Sequence, residues 1–128
     1  MNEKVLLFHM EDPEMLSKIR VALMIQKITV KVVAVSDYNQ TVGYLAGISG
    51  TPAKAGTYTG EDFDEPMMIF CMPSARLDGV LAAFRKAGIP AGIYKAMLTP
   101  TNSGWTPVAL MAELKRERAE ILKQQRKK

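Results

Sequence analysis

Apolar residues recur along this chain in two rhythms, and each rhythm occurs twice. Val5-Leu-Leu-Phe-His-Met and Met67-Met-Ile-Phe-Cys-Met are short continuous apolar runs. Such runs predict strands covered on both faces, over about 5–10 and 67–72. Apolar residues at helical spacing follow each one. Leu16, Ile19 and Leu23 predict a helix over about 13–27, and Leu77, Val80, Leu81 and Phe84 predict a second. Asp12 is placed to cap the first, with Pro13 at its first position, and Ser74 to cap the second. Gly88 ends that second helix where left-handed backbone is wanted. Second strands are expected over about 29–35 and 91–98. Each carries one mid-strand lysine, Lys31 or Lys95, a charge that suits an edge strand.

The two stretches superpose. At an offset of 62, Phe8 meets Phe70 and Met10 meets Met72; one deletion opposite Pro13 then brings Leu16 onto Leu77, Ala22 onto Ala83 and Ile28 onto Ile89. Two copies of strand–helix–strand predict an α+β fold of ferredoxin-like type. The expected sheet is four-stranded and antiparallel, order 4-1-3-2, with both helices on one face and an added C-terminal helix. One domain is expected over 1–128. Its parts are a first half at 1–35, a connection at 36–66, a second half at 67–98, and a C-terminal helix with basic tail at 106–128. Within the connection, Tyr38, Val42 and Leu45 predict a short helix ending at Gly47, and 48–66 reads as an exposed loop. Thr106-Pro107 opens the last helix, expected to about 125. Strand parity leaves the sheet apolar on both sides, while two helices cover one. The other must be covered by the last helix, by 36–47, or by a second subunit. A homo-oligomer, dimer or trimer, through that open sheet face is expected.

Composition narrows the class. Of 128 residues, 48% are apolar and 23% charged, which excludes a disordered chain. One cysteine excludes an internal disulfide, and one histidine excludes a histidine-rich metal site. The N-terminus lacks the pattern of a signal peptide and no apolar run could span a membrane, so a cytoplasmic protein is expected. The net charge is +4, but residues 115–128 hold seven basic and two acidic residues, and the remainder ten and eleven. The basicity is therefore a tail. Lys115, Arg116, Arg118, Lys123 and Arg126 could meet phosphates there. Cations also suit a helix C-terminus by themselves, so a nucleic-acid partner is not favoured.

Over roughly 66–118 a run of short motifs stands out. It holds Glu65-Pro-Met-Met-Ile-Phe-Cys, Leu77-Asp78, Leu81, Arg85-Lys-Ala-Gly-Ile, Lys95-Ala-Met-Leu-Thr-Pro-Thr-Asn, Trp105-Thr-Pro, Leu110 and Glu113-Leu114. This segment resembles a small family of uncharacterised bacterial domains of clostridial type, whose most specific stretch is Lys-Ala-x-Leu-Thr-x-x-Asn-x-x-Trp. The resemblance implies a domain and no activity.

The candidate ligand site lies in that stretch. Lys95 on an edge strand, Thr99, Thr101 and Asn102 in a polar turn, and Trp105 before a capped helix could hold a small anion. The same residues also make sense as strand end, turn and helix staple. His9 and Cys71 occupy equivalent repeat positions, but antiparallel first and third strands would set them about 13 Å apart, too far for a catalytic pair. Glu61-Asp62-Phe63-Asp64-Glu65 does not complete a calcium loop and reads as solvated, so no metal ligand is assigned. No phosphate-binding glycine motif and no cofactor signature is present. The resulting expectation is a non-catalytic oligomeric module that binds a ligand or partner. The alternatives are a nucleic-acid binder using the basic helix and a small enzyme using Lys95. The last requires a lysine of lowered pKa in a pocket.

Overall fold

In the computed structural model, which describes residues 3–126, eight main elements follow one another. They are β1 (Lys4–Phe8), α1 (Pro13–Ile25), β2 (Thr29–Val32), α2 (Val42–Leu45), β3 (Met67–Cys71), α3 (Ser74–Ala87), β4 (Tyr94–Met97) and α4 (Pro107–Arg126). The class is α+β, with a four-stranded open sheet. Asp12 caps α1 as its sequence suggests, its carboxylate accepting from the Glu14 and Met15 amides. Thr106 likewise caps α4 through the Ala109 amide, and Gly88 closes α3 in left-handed backbone (φ 79°). The α3 cap departs from expectation: Pro73 occupies the cap position, Ser74 is the first helical residue, and no side chain caps that end.

The sheet corrects the expected topology. The order is β2-β1-β3-β4, and the pairing is mixed rather than antiparallel throughout. β1 and β2 are parallel, β3 and β4 are parallel, and only β1 and β3 run antiparallel. The central pair and the lysine-bearing edges are those the pattern predicts, but the edges have changed places. Each strand–helix–strand unit keeps its own two strands adjacent, with no strand inserted between them. The reason lies in the connection. After β2 the chain passes under the second face of the sheet, where Val33, Tyr38, Val42, Leu45 and Ala46 pack with Leu6 and Phe8 of β1. An edge beside β1 places those residues where they are needed.

The β1–β3 register obeys the internal repeat. Val5 faces Phe70 and Phe8 faces Met67, so each pair is the repeat image of the other. A pseudo-twofold axis therefore passes between the central strands.

Both sheet faces are covered by the chain itself. On one, α1 and α3 bury Val5, Leu7, Met68 and Phe70. On the other, α2, the loop side chains Tyr58 and Phe63, and Leu110, Met111 and Leu114 of α4 enclose Leu6, Phe8, Met67, Ile69 and Cys71. The open face that called for a second subunit is absent. The last helix and the 36–47 segment close it together, with help from a loop expected to be solvated.

α2 approaches the turn before α4 closely. The Val42 amide donates to the Trp105 carbonyl at 2.8 Å, and a Cβ on Gly43 would lie 2.9 Å from the Ser103 carbonyl oxygen. Gly43→Ala should therefore lower stability in urea unfolding by about 1–3 kcal/mol, the usual range for overpacking. Gly92→Ala, with nothing within 4 Å of the added carbon, should change it by less than about 0.5 kcal/mol.

Candidate functional site

The expected ligand cluster divides across the sheet. Thr99, Thr101, Asn102 and Trp105 line one groove of about 370 Å3 with Glu113 and Glu117 of α4. Lys95 faces the α3 side instead, beside Leu81, Phe84 and Arg85. Its ammonium donates to the Ala91 and Ile93 carbonyls at 2.9 and 3.1 Å. Burial, and then the Arg118 charge, hold its pKa below the ordinary lysine value. Asn102 is buried and fully used by its own turn. Its side-chain Oδ1 accepts from the Thr99 amide (2.8 Å), its backbone amide donates to Thr99 Oγ1 (3.0 Å), and its Nδ2 donates to the Met97 carbonyl (2.9 Å). Trp105 packs against the second core. Two carboxylates in the groove work against an anion there.

The basic helix is likewise engaged. Lys115 pairs with Asp64 at 2.5 Å, Arg116 pairs with Glu113, and Arg118 lies 3.6 Å from the centre of the Tyr94 ring while donating to the Gly92 carbonyl. Lys123 is exposed, and the Arg126 side chain falls outside the described residues. Cys71 sits opposite Lys4, far along the strands from His9, and burial pushes its thiol up to about 11.

A different cluster forms at the C-terminal end of β1. His9 follows the strand in left-handed backbone (φ 57°), a conformation uncommon for a non-glycine residue. Its Nδ1–H donates to Asp62 Oδ2 at 2.8 Å. The other oxygen of Asp62 accepts from the Tyr38 hydroxyl (2.8 Å) and from the Phe63 amide (2.7 Å). Phe63 stacks on Tyr38 with centroids 4.6 Å apart, and Phe8 sits against both rings. The aromatic group thus folds the acidic segment back over the sheet and aims Asp62 at His9. Glu11 approaches the same His9 nitrogen to 3.9 Å. Burial alone would raise the Asp62 pKa, but the hydrogen bonds from His9, Tyr38 and Phe63 outweigh it and hold the carboxyl below its ordinary value. For Tyr38, burial and then the neighbouring Asp62 raise the phenol's pKa.

No reading of residues one by one joins His9 to Asp62, because 53 positions separate them. The available signal was Phe63, an apolar ring inside a run of four acids.

A third feature lies on the outer surface of the helical layer. α1 and α3 run antiparallel, and between them is a groove of about 580 Å3. Val21, Ala22, Ile25, Ala83 and Ala87 form its apolar lining, with Lys18 and Lys86 at its sides. Of these, Val21 and Ile25 are 49% and 76% exposed.

Comparison with known proteins adds one finding. Residues 66–121 match a family described as a domain of unknown function, DUF3783. That segment holds β3, α3, β4 and most of α4, and is consistent with an uncharacterised domain family over that stretch. No curated protein and no solved structure matches the chain. His9, Glu11, Tyr38 and Asp62 all lie outside the matched segment. Among the described residues, no helix is long and apolar enough to cross a membrane.

The depressed Asp62 pKa has a signed consequence. A carboxyl held low in the folded state contributes stability that is present above its unfolded pKa, about 3.9, and is lost as pH falls through the folded value. Asp62→Asn should remove that part of the acid limb in a stability–pH profile followed by urea unfolding. Tyr38→Phe, which deletes a hydrogen bond to a charged acceptor, should cost about 1.5–3 kcal/mol at pH 7.

Proposed function

We propose that this protein is a partner-binding module that receives an acidic amphipathic segment in the α1–α3 groove. The observation that carries this reading is the groove itself: an apolar floor about the size of known ligand sites, flanked by two lysines. Large apolar side chains left in water beside such a groove are the usual mark of a docking surface. Val21 and Ile25, one turn apart on α1, supply them. An amphipathic helix laid between α1 and α3 would bury these residues, and acidic positions along its edges would meet Lys18 and Lys86. Lys18 is shared with Glu14, 3.7 Å away on the same helix. Lys86 therefore supplies the stronger attraction.

Two synthetic helices with one apolar face and opposite polar charges test this reading by fluorescence anisotropy. The glutamate-bearing peptide should bind at least about tenfold more tightly than the lysine-bearing one and weaken as salt rises. Lys18→Glu with Lys86→Glu should invert the preference, and Ile25→Asp should abolish binding. Equal binding of both peptides, or none, overturns the reading.

Self-association is the second reading. Ile121 and Leu122 form an exposed apolar pair in the mostly polar second half of α4. If they join copies of the chain, native mass spectrometry at micromolar concentration shows a dimer or trimer that Leu122→Glu converts to monomer. A monomer in both samples removes the homo-oligomer.

A further inference from the structure

We propose that His9, Glu11 and Asp62 form a binding site for a first-row divalent cation, with zinc as the ion to test. One donor atom from each residue lies within 4.8 Å of the other two. The shorter separations, 2.8 Å from His9 Nδ1 to Asp62 and 3.9 Å from His9 Nδ1 to Glu11, bracket the ~3.0–3.4 Å between neighbouring ligands that each sit about 2.1 Å from one ion. One imidazole and two carboxylates suit zinc or manganese and do not suit magnesium, which prefers oxygen and water.

Three features distinguish this cluster from an ion pair that only pins a loop. First, Asp62 is oriented from behind. Its Oδ1 is occupied by the Tyr38 hydroxyl and the Phe63 amide, which leaves Oδ2 facing His9. Hydrogen-bonded support of this kind is what a ligating carboxylate receives in metal sites. Second, Glu11 brings another carboxylate to a nitrogen already satisfied by Asp62. An imidazole hydrogen bond needs one acceptor, while a dication gains from both charges. Third, the side chains differ in exposure, 22% for His9, 25% for Asp62 and 75% for Glu11. The site is open on the Glu11 side, so an ion can enter and keep water as a further ligand.

Binding requires one rearrangement. The His9 ring proton moves from Nδ1 to Nε2, and the ion takes Nδ1 in place of that proton. The N–H···O hydrogen bond to Asp62 becomes a bridge through the metal.

The chain's single histidine makes the test specific, because its imidazole gives one set of nitrogen resonances. Zinc chloride titrated into the full chain should saturate at one ion per chain and shift Nδ1 rather than Nε2 in a long-range proton–nitrogen spectrum. Glu11→Gln removes a mostly exposed donor and should weaken zinc binding roughly tenfold or more with an unchanged melting temperature. His9→Asn, which keeps a residue tolerant of left-handed backbone, should abolish it. Magnesium chloride at the same concentration should leave the resonances in place. Zinc binding that does not move the His9 nitrogens, or that survives Glu11→Gln at full strength, overturns the site, as does the lack of saturable binding.

Discussion

The structure depends on one pairing, the antiparallel ladder between β1 and β3. Val5 to Phe8 and Met67 to Phe70 are each 1% exposed or less. Two central strands that are apolar on both faces cannot stand as one side of a two-layer sandwich. They need cover above and below, and burial of this extent supplies the main driving force for folding. α1 and α3 provide the upper layer from within the repeated units. The repeat contains nothing for the lower layer, so the chain builds it from its unrepeated parts: α2, the 48–66 loop and the first half of α4.

That division explains what was legible in the residues. Periodicity is a local signal, and the local elements follow it: both central strands, both covering helices, the Asp12 and Thr106 caps, the short helix before Gly47. The choice of neighbour for each edge strand is not local. Lys31 and Lys95 mark edges equally well on either side of the central pair, and the connection decides between them by where it must lay Tyr38, Val42 and Leu45. Strand parity alone would group Lys95 with Thr99. The two part because β4 ends at Met97, leaving Lys95 on the face of its partner Met68 while Thr99–Trp105 turn toward α4.

The loop beyond residue 48 shows the limit most plainly. Four acids, prolines and glycines look like a solvated connection, and much of the segment is exposed. Yet Phe63 and Tyr58 are drawn into the lower layer. Once Phe63 is held, Asp62 cannot remain in bulk water and must find donors, which Tyr38 and His9 provide. The polar cluster is therefore a consequence of covering the sheet. It occurs on one half only, because the repeat places Cys71 and Pro73 where His9 and Glu11 stand.

The register of the central ladder also bears on how the chain reaches this state. Lys4 pairs with Thr29 and Met67 with Tyr94, but Lys4 also pairs with Cys71. The contacts within each half join nearby residues, whereas the contacts between halves close a loop more than twice as long. Loop closure grows costlier with length, and distant pairings slow a folding reaction. Until the two halves meet, each presents a bare apolar strand edge, so the interval before docking is when the chain is most open to pairing with another molecule.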